Sequence, residues 1–317
     1  TKKGKAGRPT MGFSTSFGVS NLANQIPVLG ADEFRTKVVE IGGQLTDLNG
    51  STDWQKEITR TAYTWNHNLT FGGGSEGLTY FASLGMQDQE GVLKNNDLKR
   101  YTGRINVIQK LVNDRLIIDL NLNATNTVSD RPNIEGIIGN ALSLNPTYPA
   151  YDAEGKPSIF PDVTNPLFQL AKYNDITNTT RIIGNISPSF EIIKGLVYKL
   201  NLGVDVSSSD RDVQSVPSTT PQQIGDLDSY FVNNKNSLIE NYLTYAFDKG
   251  SHNVSVMAGY SYQRIFVQSR GWSIDRFADN GIEPRYNPGL GQEIDLVDNR
   301  PSGSAVKNEL QSFFGRA

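Results

Sequence analysis

The chain has 317 residues and a formal net charge of -3, so no strongly basic surface points to nucleic acid as a partner. Cysteine is absent, which excludes disulfides and thiolate metal sites. The two histidines, His67 and His252, are too few for a typical zinc site, and we expect no metal and no cofactor.

Alternation of apolar and polar residues with period two is the dominant pattern along the chain. In Leu116–Ala124, for example, leucine and isoleucine alternate with aspartate and asparagine. This pattern is typical of strands with one apolar and one polar face. It predicts about ten strands, at Thr10–Val19, Trp65–Gly72, Leu78–Met86, Tyr101–Val107, Leu116–Ala124, Arg181–Ile192, Leu196–Val206, Leu238–Phe247, Val254–Tyr262 and from Leu310 onward.

The predicted strands have the length of membrane-crossing strands. Most approach the roughly 9 to 11 residues that cross a bilayer when tilted. The mean hydropathy of -0.41 resembles that of a soluble protein, but alternating barrel strands give the same average. No run of 18 apolar residues occurs, so the sequence excludes a helical span.

Short and long links alternate between these strands. The short links are predicted at Gly73–Glu76, Val112–Asp114, Lys194–Gly195 and Asp248–Ser251, and the long ones at Leu22–Thr64, Gln87–Lys99, Val128–Thr180, Ser207–Lys235 and Ile265–Lys307. Tight turns at one rim and long loops at the other are typical of outer-membrane barrels. A compact soluble domain rarely contains several long structureless loops.

Three short helices are predicted inside the long loops. Ala31–Ile41 has Phe34 and Val38 on one side and acidic residues in its first turn. Asp53 is a suitable N-cap for a helix over Asp53–Arg60. Asn133–Leu144 is the third, and it is stopped by Asn145-Pro146.

Several segments, in order along the whole chain, resemble SusC/RagA-type TonB-dependent outer-membrane transporters. They are Thr1–Gly7, Asn66–Leu69, Gly73–Glu76, Tyr80–Gly85, Gln89–Asn95, Lys99–Tyr101, Asn145–Pro149, Asn165–Leu167 and Leu310–Arg316. Each match is short, and the ordered set is what makes the resemblance specific.

The resemblance implies a fold, a location and partners. Residues 1–7 would be the end of the plug domain and residues 8–317 the N-terminal part of an all-β, antiparallel transmembrane barrel of roughly 22 strands. The chain would then be a fragment that imports oligosaccharides or peptides across the bacterial outer membrane as part of a larger protein. A SusD-like surface lipoprotein would cap the long loops, and the TonB complex would act through the plug, with no bond chemistry.

Candidate substrate contacts fall into two groups. Aromatic rings stack on the C–H faces of sugars, which favours the loop aromatics Trp54, Tyr148, Tyr151, Trp272 and Tyr286. Polar residues of the inward strand faces would line the path of a hydrophilic solute: Arg104, Asn121 and Asp205. The alternative roles are packing within the loops, contact with a partner and a wet lumen against the plug. The tyrosines predicted to face lipid are Tyr80, Tyr101, Tyr198, Tyr260 and Tyr262.

Two other classes of protein compete with this interpretation. A soluble or surface-attached glycan-binding β-sandwich would also have strands with one apolar face. A barrel enzyme of the protease or lipase kind needs a compact catalytic constellation, for which two histidines are a poor start. We expect no enzyme activity.

Overall fold

Ten long antiparallel strands pair in one sheet. The strands are β1 (Gly7–Ser20), β2 (Ala62–Gly74), β3 (Leu78–Glu90), β4 (Asp97–Leu111), β5 (Leu116–Arg131), β6 (Tyr173–Ile193), β7 (Leu196–Ser215), β8 (Ser218–Thr219), β9 (Gln222–Gln223), β10 (Gly225–Lys249), β11 (His252–Phe277) and β12 (Ser302–Arg316). The computed structural model describes residues 4, 6–161, 163–219, 222–249, 252–292 and 300–317, without the side chains of residues 248, 249 and 252. Each long strand pairs with the next along the chain, as the sequence predicts; β8 and β9 form a separate small hairpin.

The register separates the side chains onto two chemically different faces. One row across the sheet joins Leu84, Gly103, Ala124 and Ile182, and we call this side the apolar face. The opposite side, the polar face, carries asparagines, serines and charged residues. Because successive side chains of a strand point to opposite sides, a slip of one residue would exchange the two faces. All five tyrosines that were predicted to face lipid share the apolar face.

The short turns lie where the sequence predicts them. Between β4 and β5, Val112, Asn113 and Asp114 all have positive φ, and Gly195 (φ 82°) turns the chain between β6 and β7. A left-handed backbone at these positions makes the tight reversal possible. The predicted turn at residues 248–251 includes residues 250 and 251, which lie outside the described residues. So do most of residues 1–7.

The predicted outer loops are too long, because the strands on either side extend into them; the loop predicted over Val128–Thr180, for example, covers residues 132–172. The loop predicted over Ser207–Lys235 shrinks to residues 216–224, because β7 and β10 extend to 20 and 25 residues. β11 has 26 residues, so the last loop covers residues 278–301 only. The link between β3 and β4 covers residues 91–96. The strands therefore continue beyond the part in which apolar residues alternate.

Four helices lie in the two longest loops, which cover residues 21–61 and 132–172. They are α1 (Ala31–Glu40), α2 (Trp54–Ile58), α3 (Ile134–Ser143) and α4 (Pro166–Lys172). The first three were predicted, with small differences at their ends, and α4 was not. Within the described part of the chain, no helix is both long and apolar enough to cross a membrane.

Candidate functional site

Three of the four helices in the two longest loops, α2, α3 and α4, begin at polar side-chain caps. Asp53 accepts a hydrogen bond from the backbone N–H of Lys56, and Asn133 accepts one from Gly136. Asn165 caps α4 by accepting from the N–H of Leu167. These side chains satisfy donors that a helix start leaves free, so the short helices have defined first turns.

Packing between these helices creates a small hydrophobic core above the sheet, which we call the loop core. It consists of Trp54, Ile58, Ile137, Ala141, Leu144, Ala150, Phe160, Leu167 and Leu170. The ring of Trp54 meets Phe160 edge-on at 6.4 Å, and Tyr148 packs on Phe160 at 4.7 Å. Burial of these side chains joins the first and third outer loops into one layer.

Backbone contacts fix the same two loops to each other. The N–H of Gly50 donates to the carbonyl of Thr147 at 2.7 Å, and the N–H of Thr52 donates to Pro146 at 2.9 Å. A Cβ at Gly50 would lie 2.5 Å from the carbonyl carbon of Tyr148, so only glycine fits this approach. The loop layer is thus held by both packing and hydrogen bonds.

The segment Asn21–Gly30, which lies outside the helices and strands, contacts α2, and we call it the strap. The carboxamide of Gln55 forms two hydrogen bonds with the strap at Ile26. It accepts one from the backbone N–H of Ile26 at 2.9 Å and donates one to the carbonyl of Ile26 at 2.8 Å. A cleft of about 680 Å³ lies between the strap, α2 and the end of α3. The strap leaves the side chains of Ile26 and Val28 about half exposed.

An ion pair docks α1 on the rest of its loop. Arg35 donates from Nε and Nη2 to the carboxylate of Asp47 at 2.7 and 3.2 Å, and also to the carbonyl of Gly50 at 2.8 Å. The Arg35 hydrogen bond and the backbone N–H of Asn49 hold the pKa of Asp47 below its usual value.

The predicted loop aromatics differ widely in exposure. Trp54 is 3% exposed, and its indole N–H donates to the carbonyl of Asn145 at 3.1 Å. Tyr151 is 43% exposed, and its hydroxyl donates to Glu57 at 3.1 Å. Burial and this hydrogen bond raise the pKa of Tyr151. Tyr148 lies partly buried against the loop core.

Trp272 and Tyr286 lie away from the loop core. Trp272, predicted in a loop, lies within β11, where its ring packs on Phe231 at 4.7 Å on the apolar side of the strand. Tyr286 is 69% exposed, with the guanidinium of Arg285 over its ring at 4.5 Å. The five aromatics therefore do not converge on one pocket.

The three predicted polar residues share the polar face. Asn121 accepts a hydrogen bond from the carboxamide of Asn106 and donates to Asp119 at 2.8 Å. Arg104 lies opposite Asn123 on the neighbouring strand. Among the described residues, the buried Oδ1 atoms of Asn106 and Asn123 have no hydrogen-bond partner. Such oxygens are suited to accept from water or from another surface placed against this face.

Sequence reasoning missed the arginines that form ion pairs with carboxylates on the polar face. Arg181 donates to both carboxylate oxygens of Asp205, at 2.9 and 2.7 Å. Arg211 holds Asp175 in the same bidentate way at 2.7 Å, with Arg131 at 3.4 Å. An arginine within a predicted strand could have indicated such an ion pair. Its partner, however, depends on the register between neighbouring strands, which the sequence does not show directly. In the described residues, no group of three or more metal-ligating side chains is close enough to hold an ion.

The chain is similar over its whole length to several TonB-dependent receptors. It is 30% identical to TonB-dependent receptor P3 of Formosa agariphila and covers 32% of that protein. It is 26% identical to TonB-dependent receptor SusC of Bacteroides thetaiotaomicron and covers 34% of it. The chain thus spans about one third of the length of these relatives. No family model matches the chain.

A solved structure shares the fold. The structure of the RagAB peptide importer in its closed-closed state matches 99% of this chain with a TM-score of 0.81 and 22% identity, and the match covers 41% of that chain. The open-open state gives the same TM-score. At this identity the likeness shows the fold: ten strands of an antiparallel barrel, here in a sheet that is not closed.

Proposed function

We infer that this chain, a relative of the SusC/RagA-type TonB-dependent receptors over its whole length, forms part of the wall and outer loops of a nutrient importer in the bacterial outer membrane. The whole protein would import oligosaccharides or peptides with energy delivered through the TonB complex. Residues 1–7 would be the end of the plug, and residues 8–317 the N-terminal part of the barrel.

The observation that carries this proposal is the chemical difference between the two faces of one sheet. Large side chains such as Leu84, Tyr101 and Ile105 stand on the apolar face with 61%, 49% and 46% of their surface exposed. No second layer of the described chain covers them. In a bilayer these side chains meet lipid, while the polar face lines a wet interior.

The proposed solute path follows the polar face and ends at the outer loops. Arg104, Asn121 and Asp205 would offer hydrogen bonds along the wall. Among the aromatic candidates, Tyr151 and Tyr286 expose enough ring to stack on a sugar or a peptide side chain. Trp54 and Tyr148 would act on binding through the loop core that they stabilise, and Trp272 through the packing of β11.

A SusD-like lipoprotein is the proposed partner of the loop layer. Val28, Val39, Ile41, Leu48 and Ile138 are exposed apolar side chains on the two longest loops. Large apolar side chains exposed on these loops are available for contact with another protein. Movement of such a partner toward and away from the outer loops would close and open access to the polar face.

The competing interpretations gain no support. A glycan-binding β-sandwich needs two sheets that pack face to face, whereas the ten long strands lie in one sheet. The relatives are named as receptors, not enzymes. We propose binding and gated passage without bond chemistry.

Fractionation of the source organism's membranes tests the proposal. An antibody against this chain should detect a detergent-requiring band in the outer membrane that shifts on heating. A strain without the gene should lose uptake of one glycan or peptide class, and the restored gene should return it. A soluble band, or unchanged uptake of both classes, would contradict the proposal.

A further inference from the structure

One row of side chains on the apolar face changes from apolar to basic as it crosses the sheet. It contains Ile182 on β6 and Val206 on β7, and it continues through Lys235, Phe266 and Lys307 on β10, β11 and β12. Barrel strands tilt by about 35–45°, so a row across neighbouring strands crosses the bilayer obliquely. The row therefore leaves the apolar belt, by which we mean the part of this face where apolar side chains follow one another along the strands.

The apolar belt ends within β11. On the apolar face of this strand, the side chains from Val254 to Tyr262 are valine, alanine and tyrosine. This stretch of nine residues matches the roughly 9 to 11 that cross a bilayer. The next side chain on the same face, toward the loop of residues 278–301, is Arg264, and Arg270 follows three positions later. Arg264 thus lies at the border of the belt on the side of the outer loops.

Four cations lie on this border of β10, β11 and β12, and we call them the basic patch: Lys235, Arg264, Arg270 and Lys307. All four are exposed. Glu309 binds Lys307 at 2.7 Å, and Nε of Arg264 lies 4.0 Å from the same carboxylate. In the described part of the chain, Lys235 and Arg270 form no ion pair. One carboxylate beside four cations leaves the patch with a net positive charge.

The same border of the apolar face is acidic on the earlier strands. Asp88, Asp130 and Asp210 lie there on β3, β5 and β7. Lys99 on β4 lies opposite Asp88, and the ammonium and carboxylate groups are 3.9 Å apart. The positive charge is therefore concentrated on β10 to β12 and does not surround the whole sheet.

We propose that the basic patch binds the phosphate group of a lipid in the outer leaflet. The proposal rests on the proposed function, which places the sheet in the outer membrane with its long loops outside. Ammonium and guanidinium groups bind phosphate oxygens by charge-assisted hydrogen bonds, and a guanidinium can donate to two oxygens at once. Three of the cations surround Phe266: Lys235 and Lys307 lie on either side of it, and Arg264 precedes it on the same face of β11.

The position of the basic patch selects a lipid as the source of the phosphate. The patch is on the side of the sheet that faces the bilayer, and not on the polar face that would line the solute path. It lies above Ile239 and Tyr262 of the apolar belt, so a lipid whose phosphate meets the patch can place its acyl chains on the belt. Clusters of lysine and arginine beside a membrane-spanning segment bind anionic headgroups in this way.

Lipid binding by the full-length protein, purified in mild detergent and delipidated, tests the patch. The probes are dipalmitoyl phosphatidic acid and dipalmitoylglycerol, which differ only in the phosphate. Native mass spectrometry should show that the wild-type protein prefers phosphatidic acid by about tenfold or more. Lys235→Gln, Arg264→Gln and Lys307→Gln should each weaken phosphatidic acid binding about fivefold, because one cation near an anionic lipid contributes roughly that factor.

Two further variants separate phosphate binding from general packing. Lys99→Gln is the matched control, because it removes an exposed cation at the same border that has Asp88 as its partner. It should keep the wild-type affinity. Glu309→Gln removes the carboxylate that competes with phosphate for Lys307 and Arg264, so it should strengthen phosphatidic acid binding. The substituted side chains are all exposed, so the variants should fold.

Several results would overturn the proposal. It fails if dipalmitoylglycerol binds as tightly as phosphatidic acid, or if the three patch variants keep the wild-type affinity. It also fails if Lys99→Gln weakens binding as much as they do. Inorganic phosphate that binds as tightly as phosphatidic acid would assign the patch to a soluble anion. A heat-shifting outer-membrane band from a protein without phosphate preference would defeat this inference alone, whereas loss of the band itself would defeat the proposed function.

Discussion

Arg211 on β7 and Asp175 on β6 form a two-pronged ion pair, with both nitrogen–oxygen distances at 2.7 Å. The Asp175 side chain is only 9% exposed, and Arg131 on β5 reaches the same carboxylate at 3.4 Å. One carboxylate therefore binds two arginines, one from each of the strands on either side of it. Bidentate pairs of this kind add orientation as well as energy.

Asp175→Asn should destabilise this end of the barrel by about 1–3 kcal/mol, because the variant leaves two arginines close together without an anion. The measurement is the temperature at which the folded, fast-migrating band of the full-length protein is lost. Asp114→Asn is the matched control, because Asp114 forms only an exposed ion pair with Lys110, at 3.6 Å. Equal midpoints for both variants would show that the arginine pair contributes nothing.

The sequence was sufficient to predict the strand order and the two faces, but not the strand lengths. Leu196–Val206 alternates cleanly because one side is apolar. Residues 207–215 continue the same strand, with Asp210 and Asp212 on one side, Arg211 on the other and serine on both. Beyond the apolar belt both faces are polar, so period-two contrast disappears while backbone pairing continues.

The candidate site was predicted only in outline. Residues that alternate on a strand were assigned to the correct face, as Arg104, Asn121 and Asp205 demonstrate. Their partners depend on register, which no single strand encodes. In the loops, Asn165-Pro166 is a helix start signal, but the seven-residue helix α4 is too short to show periodicity. Burial of Trp54 depends on contacts with a loop about 90 residues away.

Trp54→Ala should loosen the loop layer without unfolding the sheet. Removal of a buried tryptophan from a core costs about 3–5 kcal/mol, more than a core of this size can lose and stay ordered. Amide exchange of α2 and α3 should accelerate, while β4 and β5 stay protected. Hydrogen exchange of the full-length protein in detergent measures both regions.

Tyr286→Ala is the control for the tryptophan variant, because that ring is exposed and lies outside the loop core. Its exchange pattern in α2 and α3 should match the wild-type pattern. If Trp54→Ala also leaves these helices protected, the loop core does not hold the two loops together.

Acid should release α1 from the loop layer. The folded-state pKa of Asp47 lies below its ordinary value of 3.8, so the stabilisation is present above that value and is lost as pH falls through the lowered pKa. Exchange or limited proteolysis of residues 31–47 should therefore increase at the acid end of this range. Asp47→Asn should show the loosened state already at pH 7, with little further change on acidification. A variant with the wild-type pH profile would rule out this pair as the cause.

Gln55→Ala should free the strap, because the two hydrogen bonds to Ile26 disappear together. Each such bond contributes about 0.5–1.5 kcal/mol, so exchange of the Ile26 amide should accelerate by about 10- to 100-fold. Gln25→Ala is the control: it removes only the contact of Gln25 with Asp53 at 3.2 Å, at an exposed position. Site-resolved hydrogen exchange of the full-length protein distinguishes the two. Faster exchange in the control alone would place the anchor of the strap at Asp53 and not at Gln55.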